Sequence, residues 1–267
     1  MRVDRLADRI VEDRAAGLEP FLVVATFGTT NGGAIDPLGR VAAVAREEGL
    51  WLHVDAAWGG AVALSPRSRG LLRGVEASDS LTLDCHKWLS VPMGAGLFLT
   101  RQKGVLEQTF SLATGYMPRD ALGLDVADPY ARSIQWSRRA IGLKVLLSLM
   151  VAGFEGYAAA VDAMMALGRA LRTRLVDAGW TLVNRTPLPV VCFTGGDGAG
   201  RSPEWLDRVA ALVVRSGRAW ISTARLSNGV TALRACITNY RTTEADLDDL
   251  VDALRQARES VNSVAAI

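Results

Sequence analysis

Two strand-forming stretches joined by a short helix confine this 267-residue chain to a small set of folds. The first, FLVVATFGTT from Phe21, is a continuous apolar run ending in glycine and threonine. Such a run reads as a strand covered on both faces, as in a parallel sheet. Asp36-Pro37 then marks a helix start, with Asp as N-cap and Pro in the first turn. Leu38, Val41, Val44 and Ala45 form the buried face of that helix, and Gly49 stops it. In the second stretch, LWLHVDAA, Leu50, Leu52, Val54 and Ala56 alternate with Trp51, His53, Asp55 and Ala57, the period of a strand. An amphipathic helix at 3–15, with Val3, Leu6, Ile10 and Val11 at helical spacing, precedes both and ends at Gly17. Helix, strand, helix and strand in that order place a parallel sheet at the centre.

Further along, a short helical segment near 68–75 leads to a strand at 80–85, and AGLFLTR at 95–101 reads as another. Residues 102–133 read as irregular, with TGYMP and ADPY as turn chemistry. IQWSRRAIGLKVLLSLMVAGFEGY is a helix with Ile141, Val145 and Leu149 on one face. A long helix from Tyr157 to Gly179 follows, its Val161, Met164, Met165, Leu171 and Leu175 being core residues. WTLVN, PVVCFTG and ALRACITN are strands; with helices at 203–216 and 243–260 they make a small α+β unit of three strands and two helices. GGDGAG at 195–200 lacks the Lys-Ser/Thr that completes a phosphate-binding loop, and reads as a flexible turn.

Composition narrows the function classes. A hydrophobic share of 49% with 22% charged residues is that of a globular chain. A net charge of only +2, without a basic stripe, argues against nucleic acid as a partner. Cys85, Cys192 and Cys236 are odd in number and widely spaced. They form neither a disulfide framework nor a zinc motif, which fits a reducing, cytoplasmic setting. Two histidines argue further against a metal centre. Charges at Arg2 and Asp4 argue against a signal peptide, and VLLSLMVA at 145–152 is too short to span a bilayer.

The chemistry centres on Lys87. Lys and Arg total 30, yet only Lys87, Lys103 and Lys144 are lysines, so arginine carries nearly all the positive charge. A lysine directly after LTLDC, between His86 and Trp88, points to a need for an amine that can lose its proton. Arginine cannot do so, whereas a desolvated lysine can, and it then forms Schiff bases with carbonyls. On its own, Lys87 is read more simply as a lysine that ends a strand and reaches water. Asp55 and Ala57 share a strand face, roughly 6.6 Å apart, at the carboxyl end where open α/β sheets bind ligands. A carboxylate buried there needs a cationic partner. A pyridinium nitrogen would serve, with the Ala57 methyl against the ring face. Pyridoxal phosphate requires both a lysine for its aldehyde and an acid for its ring nitrogen.

HVDAAWGG followed by DSLTLDCHKW resembles the group II pyridoxal-phosphate-dependent amino-acid decarboxylases, among them the aromatic amino-acid, glutamate and 2,4-diaminobutyrate decarboxylases. The similarity runs from near the N-terminus to at least Tyr157. It implies an α/β, fold-type I transferase-like architecture: a partial cofactor-binding large domain with a mostly parallel sheet at 1–156, then a linking helix and small C-terminal domain at 157–267. By resemblance, Lys87 forms the Schiff base, Asp55 pairs with the ring nitrogen, Ala57 packs under the ring and His86 lies beside the cofactor. Thr30 of FGTTNGG would stand near the phenolate side. Asp84 joins the cofactor-binding set, although Thr30 and Asp84 also suit plain turn caps.

The resemblance places Tyr116 on a loop that closes over a neighbouring subunit's site and donates a proton after CO2 leaves; the alternative is a tyrosine anchoring a loop. Arg138–Arg139 matches an arginine that supports the active site, or a solvated helix end. The implied activity is decarboxylation of an L-amino acid to its amine, with Trp58 closer to the glutamate and diaminobutyrate members than to the aromatic ones. In the family the large domain begins well upstream of FLVVAT and carries most phosphate contacts and a ring-stacking histidine. His53 lies one step back along the strand from where such a ring is needed. The expected assembly is therefore a homodimer, or a hetero-assembly with a chain supplying the N-terminal half. A non-catalytic subunit, a split enzyme and other pyridoxal chemistry remain as alternatives.

Overall fold

The computed structural model describes residues 1–112, 129–195 and 202–264. Tyr116 and most of the glycine-rich stretch at 195–200 lie outside them. Helix α1 (Val3–Ala15) is closed by Gly17, whose φ of +80° suits a residue without a Cβ. Strands β1 (Leu22–Thr26), β2 (Trp51–Asp55), β3 (Ser80–Asp84) and β4 (Gly96–Thr100) form one sheet in the order β1-β2-β3-β4. The first three are parallel and β4 runs antiparallel to β3. Helix α2 (Leu38–Glu47) makes the first crossover. The second consists of three short 3-10 turns at Gly59–Leu64, Arg69–Leu72 and Val75–Ala77, where the sequence suggested one helical segment. Leu38, Val41 and Ala45 of α2 pack in one core with Leu52 and Val54 of β2. Full burial of each large side chain there contributes roughly 1.5–3 kcal/mol.

Four expectations are corrected in this half. Strand β1 is covered on one face only: Val23 and Ala25 are buried, while Leu22 and Val24 are 41% and 44% exposed. Register pairs Leu22 with Trp51, Val24 with His53 and Thr26 with Asp55, so these residues share the open face. Asp36 does not cap α2; Pro37 holds the N-cap position. The Asp36 carboxylate accepts from Thr26 N (2.8 Å) and its own amide donates to Thr26 O (2.9 Å). A strand amide takes up the acid in place of the helix amides. Residues 102–133 are not wholly irregular, because α3 (Val105–Phe110) follows β4. Val11 of α1, placed on the apolar stripe, is 64% exposed.

Helix α4 (Ile141–Asp177) joins the two halves of the structure. Taken whole, it is long and apolar enough, by length and composition, to cross a membrane. Its backbone leaves helical geometry at Gly153 (φ 65°, ψ 172°), so the stretch before the break is about 12 residues, roughly 18 Å. That is well under the ~30 Å of a hydrocarbon core. After the break, Tyr157, Val161, Met164, Met165, Leu171 and Leu175 are buried within the protein. Arg172 anchors this part, donating to the carbonyls of Leu188 (3.0 Å) and Val190 (2.8 Å).

A second, antiparallel sheet has the order β5-β6-β8-β7, from β5 (Trp180–Leu182), β6 (Val190–Gly195), β7 (Ser222–Arg225) and β8 (Thr231–Cys236). Strand β7 escaped the sequence reading because STAR is short, polar and only partly buried, so it shows no apolar run. Helices α5 (Pro203–Arg215) and α6 (Glu244–Val264) pack with this sheet around Phe193, Leu206, Val209, Leu233 and Leu254. Ser202 caps α5 by accepting from Trp205 N, and Asp246 bonds both the amide and hydroxyl of Thr243 ahead of α6.

One glycine controls how β1 and β2 meet. A Cβ at Gly59 would lie 2.4 Å from the Phe27 carbonyl oxygen and 2.7 Å from Phe27 Cδ1. Both atoms are buried and cannot yield without moving the end of β1. Gly59→Ala is expected to lower stability by about 1–3 kcal/mol, as overpacking does. A reduced urea midpoint with unchanged slope would show it, and an unchanged midpoint would mean that the loop relaxes freely.

Candidate functional site

The carboxyl ends of β1, β2 and β3 lie side by side because the three strands are parallel. Phe27 N donates to Asp55 O (2.8 Å), Ala56 N to Thr82 O (3.0 Å) and Asp84 N to Ala57 O (3.0 Å), so the ladder runs past the strand ends. Asp55 and Asp84 therefore finish neighbouring strands, with Ala57 and Lys87 just beyond.

Lys87 lies in a held turn. Its Nζ is 2.9 Å from Asp84 Oδ2, and both side chains are about a quarter to a third exposed, at 25% for Asp84 and 33% for Lys87. The Lys87 amide donates to Asp84 O (3.2 Å), and Val91 N closes the turn on Cys85 O (3.1 Å). Below it, Trp88 meets Trp58 edge-on with ring centroids 4.8 Å apart, and the Tyr157 hydroxyl donates to Leu89 O (3.1 Å). Cys85 is fully buried, and burial together with the Asp84 charge pushes its thiol up, so it stays protonated. His86 Nδ1 lies 3.1 Å from Ala95 O. A carbonyl only accepts, so that nitrogen carries the proton. Nε2 of the same ring is left 3.9 Å from Asp84 Oδ2.

Asp55 contrasts with Asp84. Its Oδ1 accepts from Ala57 N (3.0 Å), and among the described residues it has no ion-pair partner. A half-buried carboxylate with a free oxygen, on the strand next to a lysine, is a receptor for a cation. His53, two residues back, is not free to cover a ring. It stacks on Phe98 at 6.0 Å and 11°, and both its nitrogens meet hydroxyls, Ser80 Oγ at 2.8 Å and Thr82 Oγ1 at 3.3 Å.

The other candidates are distributed differently. Thr30 is exposed, and its carbonyl accepts from Arg234 Nε (3.0 Å), so the FGTTNGG loop is sewn to the second sheet. Asn31 Nδ2 adds a bond to Arg225 O (2.9 Å). A cleft of about 830 Å³ beside this loop is lined by Thr30, Asn31, Arg185 and Arg225, but by neither Asp55 nor Lys87. Chemistry and cavity size disagree here, and the titratable groups carry the assignment. Arg138 and Arg139 are exposed ahead of α4, and among the described residues Arg138 reaches Pro129 O at 3.4 Å. Sequence reasoning missed Trp51, Ser80, Thr82 and Tyr157 around the site. The signal for the first three was present, since SLTLD alternates in step with WLHVD.

Comparison with known proteins matches this chain to one family. The pyridoxal-dependent decarboxylase conserved domain matches residues 1–195. The aromatic-L-amino-acid decarboxylase of Bacillus atrophaeus is 32% identical over 266 residues, covering 97% of this chain and 55% of the relative. The L-2,4-diaminobutyrate decarboxylase of Rhizobium meliloti is 33% identical over 268 residues, covering 97% and 53%. The crystal structure of mouse CSAD in apo form is 31% identical with a TM-score of 0.85, covering 96% of this chain and 56% of that one. The fold is thus the expected α/β, fold-type I architecture. This chain spans about half the length of the curated relatives it matches. It belongs to the pyridoxal-dependent decarboxylase family.

Proposed function

We propose that this chain is the cofactor-anchoring part of a pyridoxal-phosphate-dependent carboxy-lyase that converts an L-amino acid to its amine and CO2. One observation carries the reading: Lys87 paired with Asp84 stands at the strand end next to an Asp55 that lacks a cation among the described residues. This donor set fits the cofactor, offering an amine for an aldehyde and a free carboxylate oxygen for a ring nitrogen. Bound pyridoxal phosphate supplies an aldehyde that captures the substrate amine and a ring that takes up the electron pair left by the departing carboxylate.

The residues divide the work. Lys87 would hold the cofactor through its amine, the group that reacts with an aldehyde. Asp55 holds a proton at the ring nitrogen, each pKa unit of that stabilisation being worth about 1.4 kcal/mol. Ala57 would offer its methyl to the ring face. Asp84 fixes Lys87 Nζ, and His86, oriented by Ala95 O, lies alongside. Thr30 is assigned to the phenolate side and Tyr116, outside the described residues, to reprotonation at the substrate carbon.

The assembly is part of the proposal. On α4, Leu143, Leu146, Leu147, Met150, Val151 and Phe154 are each more than half exposed, Val151 at 89%. An apolar face of that size favours a working state in which a second copy, or a chain supplying the relatives' other half, covers it. Sedimentation of the chain alone is expected to show association, and Leu147→Arg with Val151→Arg to shift it toward monomer. A monomeric parent chain would leave this face without an interface role.

Borohydride reduction of the cofactor-loaded assembly followed by peptide mapping is expected to tag Lys87. A tag on Lys103 or Lys144 would overturn the assignment. Asp55→Asn is expected to keep the fold and lose most of the activity, since an amide does not hold a pyridinium. Near-normal turnover in that variant would leave Asp55 a purely structural role.

A further inference from the structure

The sheet face that carries Asp55 also carries a row of polar side chains with no assigned task. Trp51 Nε1 donates to Ser80 Oγ (2.8 Å), Ser80 Oγ lies 2.8 Å from His53 Nδ1, and His53 Nε2 lies 3.3 Å from Thr82 Oγ1. The row can be solved for its protons. An indole nitrogen only donates, so Ser80 Oγ accepts from Trp51. Ser80 is 4% exposed, and the acceptor within reach of its own proton is His53 Nδ1. With Nδ1 accepting, the ring proton sits on Nε2 and is given to Thr82 Oγ1, whose partly exposed hydroxyl can turn to water. Both alternatives, a proton on Nδ1 or a doubly protonated ring, strand the Ser80 hydroxyl hydrogen in a buried place, which is costly.

Burial lowers the protonation midpoint of His53, against the pull of the Asp55 charge. By register its neighbours are Val24 on β1 and Ser80 on β3, with Thr100 beyond on β4; Phe98 covers the ring. Asp55 is the charged group acting on it. A cation at His53 would stand two residues from Asp55 on the same face, roughly 6.6 Å along the strand. It would compete for the carboxylate.

We infer that His53 is a positioning residue, locked by the Trp51–Ser80–Thr82 row as the neutral Nε2–H imidazole, so that the Asp55 carboxylate is left for the cationic ring nitrogen of a bound pyridine cofactor. The last clause rests on the reading of Asp55 proposed above. The state of the ring does not.

Nitrogen-detected NMR of the ¹⁵N-histidine-labelled full chain tests the lock, and with two histidines in the sequence a His86→Gln variant assigns the signals. The expected result is an unprotonated Nδ1 and a protonated Nε2, persisting at pH 6, below the ordinary imidazole midpoint of about 6.5. Ser80→Ala is expected to abolish the tautomer preference and raise the midpoint, and Ser80→Thr to restore both. In the assembly with both halves present, Ser80→Ala should weaken pyridoxal phosphate binding about tenfold at pH 6, the equivalent of one pKa unit, and little at pH 8, where the ring is neutral again. A ring protonated on Nδ1, a cationic His53 at pH 7, or ring signals unchanged in Ser80→Ala would overturn the inference, as would equal affinity loss at both pH values. The expected ring signals with no cofactor binding in the parent assembly would support the lock and overturn the cofactor reading instead.

Discussion

The bonds that carry the β2–β3 ladder past its strand ends, Ala56 N to Thr82 O and Asp84 N to Ala57 O, hold the rest of the site in place. Parallel strands twist apart beyond their last pair unless something ties them. Here the tie falls between the residues that flank the two acids. Asp55 and Asp84 are thereby kept on adjacent strands, and the Lys87 turn starts from a fixed point. Gly59 serves the same end from the other side, since only a residue without a Cβ lets the following turn press on the Phe27 carbonyl.

Holding that turn carries a cost. Ser90 takes a left-handed φ of 53°, about 1–2 kcal/mol for a residue with a Cβ. Trp88 Nε1 is buried without a hydrogen-bond partner among the described residues, another ~1–3 kcal/mol. The offset comes from Trp58 packed edge-on to Trp88, the Tyr157 bond to Leu89 O and the buried Leu89 and Val91. Strain concentrated beside one lysine and supported from a distant helix is the pattern of a site kept for its chemistry. The two carboxylates beside it differ in kind: Asp84 is already paired with Lys87, whereas Asp55 keeps an oxygen free.

The open sheet face and the bare front of α4 are alike in chemistry. Leu22, Val24 and Phe98 on the sheet, and Leu147, Met150 and Val151 on the helix, are apolar residues left substantially exposed. The same surfaces are where a one-sided sheet departs from the two-sided one that its apolar composition suggests. The second sheet shows no such mismatch: β6 is buried along its whole length, Val191 and Phe193 in the core with α5 and α6, Val190 and Cys192 in the core of the first sheet.

By itself the sequence determined the strand and helix order around β2, the buried sets of α2 and α4, and the placing of a rare lysine just after one strand and an aspartate at the end of another. These are local patterns, written in periodicity and in residue chemistry that arginine cannot replace. Strand β7 was illegible because four partly exposed, mostly polar residues carry no periodic signal. The role of Asp36 was misread because its carboxylate serves a strand amide ten residues back, a contact no local rule contains. Only the tertiary structure decided that Asp84 pairs with Lys87 while Asp55 does not, and that Thr30 is tied to the second sheet through Arg234. It alone showed His53 bound on both nitrogens by hydroxyls of the neighbouring strand. Such facts depend on register between strands far apart in the chain, and register is set by packing rather than by any single segment.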